Sequence, residues 1–239
     1  MVTIPAQFNG PLKSGNGGWV CGLLAEEWVR RHEADPLGST VTSTLLQPPP
    51  LETTLTWEED DAAAELRLLT AGGAVIGTAT PGVFTDDPPP IVSPADAAAG
   101  AAAYPGYTHH PFDHCFTCGT RREPGDGLCL FTGPIGEGRS AAPWHVHEAF
   151  ADETGHVSVP IAWAGLDCPG AWAAGFGETP WLLGRMTAEV IRLPEANETL
   201  LATGWLRNKD GRKQFTSTAL YTEDGSLVGR SEQIWIAVS

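Results

Sequence analysis

Positive charge is scarce in this 239-residue sequence: fourteen Lys and Arg face twenty-nine Asp and Glu, for a formal net charge of −15. A field of that sign repels polyphosphates, so nucleic acid and anionic membrane surfaces are excluded as general partners. Cysteine is sparse too. Cys21, Cys115, Cys118, Cys129 and Cys168 are odd in number and too thinly spread for a secreted disulfide scaffold. No uncharged apolar run reaches membrane-spanning length, and residues 1–15 lack the charged head and apolar stretch of a secretory signal. These absences together lead us to expect a cytoplasmic chain with free thiols. What remains is ample for a core, because folding at this length buries roughly 70% of the extended chain's surface.

The most informative feature is an internal repeat. Residues 16–25, NGGWVCGLLA, open an apolar helical run after a Gly-rich approach, and residues 167–176, DCPGAWAAGF, do the same after Ile161-Ala162-Trp163-Ala164. Each run is apolar on most sides and therefore predicts a buried helix. Four β-branched or alternating stretches follow the first run, at 39–47, 53–59, 65–70 and 74–80. Four more follow the second, at 184–193, 199–208, 213–222 and 226–238. Gly72-Gly73 stands in the first half where Asp224-Gly225 stands in the second, each preceding a final strand.

A helix followed by a four-stranded antiparallel meander, twice over, predicts an α+β fold: a double hotdog, in which each sheet wraps one apolar helix. The predicted first half spans 1–85 and the second 112–239, the latter led in by a Cys-containing segment. Residues 86–111 are rich in Pro and Ala and read as a linker without core.

Asp167 is the first candidate for chemistry, since a carboxylate among Trp, Ile, Leu and Ala must be paired or functional. A purely structural role is the competing reading: Pro169 suits a first helical turn, so Asp167 or Cys168 would cap a helix starting there. Asn16, Gly17 and Gly18 occupy the corresponding place in the first half. There the glycines admit a ligand to free backbone N–H groups, or simply allow close helix-to-sheet packing. Gln233 lies in the last strand, on one face with Ser231 and Trp235; alternation leaves open which way that face points, so its amide either orients a water or is an ordinary solvent-facing side chain. His109, His110, His114, Cys115 and Cys118, with Cys129 beyond, contain a single CxxC. Without a second pair this is a weak zinc pattern, and packing of the loop against the second half is the favoured reading.

Three stretches carry a resemblance to the acyl-CoA thioesterase II family of fused double hotdogs. Asn16-Gly17-Gly18-Trp19-Val20-Cys21-Gly22 is similar to that family's Gly-Gly helix start. Ala162-Trp163-Ala164-Gly165-Leu166-Asp167 resembles the helix bearing its catalytic aspartate, and residues 221–233 resemble the strand bearing its catalytic glutamine. The family's third catalytic residue is a Ser or Thr on the strand after the second helix, where Thr187 is the nearest hydroxyl. The PFDHCFTCG insert and Pro169 depart from the family pattern.

The resemblance implies hydrolysis of an acyl-CoA or other acyl thioester, with Asp167, Gln233 and Thr187 catalytic and Asn16, Gly17 and Gly18 binding substrate. It implies no cofactor and no metal, and higher assembly into a homo-oligomer. A noncatalytic acyl-binding or partner-binding hotdog is the alternative. A hydratase ranks last, because no His follows Asp167 or Asn16 closely. A coenzyme A ester would need the scarce bases, such as Arg185, Arg192, Arg207, Arg212 and Arg230, to gather around it.

Overall fold

The computed structural model describes residues 1–60, 62–176 and 180–238. Among them, eleven strands form one antiparallel sheet. The first half contributes β1 (Val2–Thr3), α1 (Gly17–Arg31), β2 (Val41–Leu45), β3 (Thr54–Asp60), β4 (Glu65–Thr70) and β5 (Val75–Pro81). After α2 (Pro94–Ala102) come β6 (Gly133–Gly136), β7 (Arg139–His145), α3 (Val159–Ala173), β8 (Trp181–Val190), β9 (Thr199–Asp210), β10 (Lys213–Tyr221) and β11 (Leu227–Ala237).

The eight repeat strands fall where the alternation places them, but neither half is a plain meander. The order is β1-β3-β4-β5-β2-β8-β11-β10-β9-β7-β6, so the first strand after each helix pairs with the last strand of its half. β2 and β8 thereby meet at the centre, with Ser43 opposite Met186 and Thr42 opposite Thr187. That long-range pairing joins the halves, and no local periodicity encodes it. The two hairpin turns place Gly73 and Gly225 at positive φ, +80° and +96°, where a side chain would be strained.

Helices α1 and α3 pack against each other on one face of the sheet, α1 over β2 and β5 and α3 over β9 and β10. All fourteen residues from Pro160 to Ala173 are buried, as expected of a helix apolar on every side. Its start is not at Asp167. The N-cap is Ser158, with Pro160 in the first turn, so Asp167 lies mid-helix and Pro169 is internal. The capping role considered for Asp167 and Cys168 is therefore excluded. An internal proline removes one helical donor; around it, Thr117, Thr218 and Gln233 side chains donate to the carbonyls of Ala164, Leu166 and Asp167.

The segment expected as a linker without core is also different. Residues 94–102 form α2, capped by Ser93, and Ala97 and Gly100 are buried against the face of the sheet opposite to α3. Alanine suffices here because the helix backbone comes close to the sheet: a Cβ on Gly100 would run into the Ala141 carbonyl and meet Ile135 at 3.0 Å.

Candidate functional site

The site forms where the N-terminus of α1 meets the middle of α3. Asn16 caps α1, its Oδ1 accepting from the Trp19 N–H at 2.9 Å, and its Nδ2 donates to Asp167 Oδ2 at 2.9 Å. The Gly18 backbone N–H also faces the carboxylate. Asp167 is 2% exposed, and its second oxygen, Oδ1, has no partner. Burial, and secondarily the nearby Cys115, push the Asp167 pKa up to about 7, against the lowering pull of Gly18 and Asn16.

The glycines of α1 set this distance. A Cβ at Gly18 would stand 2.5 Å from the Asp167 Cβ, and one at Gly17 would stand 2.8 Å from the Leu183 Cβ. Gly18 therefore serves close helix-to-helix approach and Gly17 close helix-to-sheet approach. As the first residue of α1, Gly17 also carries an N–H with no partner inside the helix.

Asp167 opens on a small cavity of about 40 Å³, lined also by Asn16, Gly17, Cys168, Leu183 and Trp235. That is room for a water or a reacting carbonyl, not for a long acyl chain. Gly17, Leu182 and Leu183 are shared with a larger apolar cavity of about 190 Å³ that continues along Leu45, Pro49 and Ile236. Trp181 lines the small cavity too, and its buried indole N–H has no partner.

Two expected site residues are placed elsewhere. Gln233 is buried under α3, but its amide is fully engaged: Nε2 donates to the Leu166 and Asp167 carbonyls, and Oε1 accepts from Thr216 Oγ1 and Trp235 Nε1. It holds the helix that carries Asp167 and has no capacity left to orient a water. We expect Gln233→Ala to cost about 2–4 kcal/mol, given four bonds of about 0.5–1.5 kcal/mol each and a buried Trp235 indole N–H left unpaired. A urea midpoint unchanged from that of the parent chain would contradict this.

Thr187 lies opposite Glu232 across β8 and β11, whereas Gln233 lies opposite Met186. Neighbouring residues of a strand face opposite ways, so Thr187 points away from Asp167, and its hydroxyl sits 2.7 Å from that of Thr42. The inner position beside Gln233 is held by Met186, which bears no hydroxyl.

The arginines do not gather either. Arg192 pairs with Glu198 and Arg230 with Glu189, Arg212 donates to the Ala237 carbonyl, and Arg185 and Arg207 flank an outer-face groove with Glu232. Among the described residues, no Lys or Arg lines the Asp167 cavity.

The sequence reading missed Cys168 as a partner of the CxxC. Residues 108–132 wrap over both helices, with the Phe116 N–H bound to the Asn9 carbonyl and Thr117 Oγ1 to the Ala164 carbonyl. This brings Cys115 to 3.8 Å from Cys168, sulfur to sulfur. The signal available was modest: Cys168 follows the candidate Asp167 directly.

Two sheet halves, each folded over one buried helix and joined edge to edge at β2 and β8, define a double hotdog protein. No family model and no curated protein matches the sequence. Solved structures do match in fold. A thioesterase candidate from Novosphingobium aromaticivorans aligns over 100% of this chain and 94% of its own, at 13% identity and TM-score 0.61. The tesB protein of Mycobacterium avium subs paratuberculosis aligns over 96% and 89%, at 13% identity and TM-score 0.60. A hot dog fold protein of unknown function from Alicyclobacillus acidocaldarius aligns over 99% and 92%, at 12% identity and TM-score 0.58.

Proposed function

We propose that the protein hydrolyses an acyl thioester, with Asp167 as general base. One observation carries this reading: a buried carboxylate with one oxygen tied by Asn16 and the other, Oδ1, without a partner, on a residue that lines a cavity sized for water at the junction of the two halves. The solved thioesterase-like structures support the reaction class by likeness of fold.

In the proposed reaction a water held by Oδ1 attacks the thioester carbonyl. Asp167 takes its proton as the C–O bond forms, and the C–S bond then breaks to release the thiolate, which is protonated in solvent. The Gly17 N–H, at the positive end of α1, is the proposed donor to the developing oxyanion. The apolar cavity lined by Leu45, Leu183 and Ile236 accommodates the acyl group. Gln233 acts by holding the Leu166 and Asp167 carbonyls, not by touching substrate.

The test is thiol release from acyl-CoA esters of graded chain length, followed with a thiol-trapping dye. Turnover of at least one ester, lost in Asp167→Asn, is the expected result. Saturable binding across the whole series with no thiol release would replace hydrolysis by the noncatalytic acyl-binding role.

A further inference from the structure

The hydrolysis just proposed makes no use of the sulfur cluster beside Asp167. Cys115 and Cys118 come from the loop over α1, Cys168 comes from α3, and all three are buried with their sulfurs within 4.8 Å of one another. We propose that Cys115, Cys118 and Cys168 form a three-thiolate site for one zinc ion, whose fourth coordination position opens on the Asp167 cavity.

Geometry is the first argument. Zinc–thiolate bonds of about 2.3 Å at tetrahedral angles place two sulfurs about 3.8 Å apart, and Cys115 and Cys168 stand 3.8 Å apart. The CxxC supplies a chelating pair from one turn. Gly119 closes that turn, donating its N–H to the Cys115 carbonyl at 2.8 Å.

The second argument is the surroundings of the sulfurs. Asn16 Nδ2 donates toward Cys115 Sγ at 3.6 Å. His110 Nδ1 accepts from the Phe112 N–H at 3.0 Å, so the neutral ring carries its proton on Nε2, which donates to the Cys118 carbonyl at 3.1 Å and lies 3.4 Å from Cys118 Sγ. The Asn16 donor aimed at Cys115 suits a metal-bound thiolate, whose charge it spreads, and His110 fixes the backbone of Cys118 from outside the sulfur cluster. This tautomer also removes His110 from the ligand set and makes it an outer-sphere partner.

The third argument is charge. Asp167, with its Oδ1 unpartnered, lines the same cavity as all three cysteines, and no Lys or Arg among the described residues does. Three thiolates buried beside a carboxylate would be costly without a cation, so these thiols can ionise together only with a metal among them. A divalent ion supplies the missing charge, and three soft ligands select zinc over magnesium or calcium. Three protein ligands with one open position is an arrangement that leaves room for a water or substrate atom.

The experiment is a metal count on the full chain, purified reduced, equilibrated with zinc and freed of excess. One zinc per chain is expected. Cobalt in its place should give thiolate-to-metal charge-transfer absorption and the strong visible bands of tetrahedral coordination. Cys115→Ser, Cys118→Ser and Cys168→Ser should each weaken binding at least about tenfold, while Cys129→Ser, outside the cluster, keeps the full count. Should the serine variants unfold, the parent chain's count and cobalt spectrum still decide. A folded, reduced chain with far less than one zinc, or a chain whose mass is lower by two hydrogens because a disulfide joins two of the three, would overturn the site. Metal is counted without substrate, so this outcome is separable from that of the hydrolysis assay.

Discussion

Asp167→Asn is expected to slow thioester hydrolysis about 10²–10⁴-fold, the usual worth of a positioned base, which is about 3–5 kcal/mol of barrier. The substitution is close to isosteric. The introduced amide can still accept from Asn16 Nδ2 through its carbonyl oxygen, so the contact between α1 and α3 is preserved. What disappears is a carboxylate that burial has already pushed up to about 7. A buried acid with a raised pKa opposes folding increasingly as the pH rises above its unfolded value, because the charged form is better solvated in the unfolded chain. Removing it should leave the melting temperature above pH 7 equal to or higher than that of the parent chain. Loss of rate together with unchanged or increased stability is the signature of a functional acid. A variant that keeps its rate, or one whose stability collapses alongside it, would assign Asp167 to the architecture instead.

Most of the fold was legible and the site was legible in part, for reasons that can be located. The eight repeat strands announce themselves because alternation and Gly turns are local signals, as at 65–70 and Gly72-Gly73. Pairing of β2 with β5 and β8 is not local, so the sheet order was misread. For α3, uniform hydrophobicity erased the amphipathic boundary that usually marks a helix start. Ser158 before Pro160 was the correct start signal, a cap residue with proline in the first turn, while Asp167-Cys168-Pro169 imitates the same pattern nine residues later. Asp167 was found because a charge in an apolar run is conspicuous whatever the register.

Thr187 failed for the opposite reason. On a strand, one residue decides the face, and the irregularity between Ile234 and Trp235 shifts the register of β8 against β11 close by. Alternation groups Gln233 with Ser231 and Trp235 but leaves open which way that face points, and the bonds that decide its role, to Thr216, Leu166 and Asp167, are long-range. Cys168 shows the same limit: three sulfurs meet only because a loop and a helix fifty-three residues apart are packed together.

The two halves are repeats in topology yet contribute unlike parts to the site. The first supplies a helix end, with Asn16 and the free Gly17 N–H; the second supplies a helix middle, with Asp167. Asn16 and Asp167 are therefore complementary partners across the repeat, not equivalents within it. A single half would hold either donors without the acid or the acid without donors, which gives a physical reason for fusing them.

That complementarity depends on how closely α1 and α3 approach, and Gly18→Ala is expected to be the most disruptive single-methyl change at the site. The new Cβ would stand 2.5 Å from the Asp167 Cβ and 2.8 Å from the Trp163 carbonyl. Neither atom can swing aside, since one is fixed to the α3 backbone and the other belongs to it. Gly22, four residues on and on the same face, is equally confined, 2.7 Å from the Pro160 Cα. Overpacking of this kind costs about 1–3 kcal/mol or more, which for a chain of this size lowers the melting temperature by about 2–4 °C per kcal/mol. Helix propensity alone would favour alanine by about 1 kcal/mol, so a fall isolates the steric effect. Gly72→Ala is the control: its Cβ would meet only Thr70 Oγ1, at 3.8 Å, and should shift stability by less than about 0.5 kcal/mol. Because separation of the helices also draws Asn16 off the carboxylate, hydrolysis by Gly18→Ala should fall at temperatures where the variant is still fully folded. Melting at or above the parent temperature would mean that α1 and α3 are not in contact along Gly18 and Gly22.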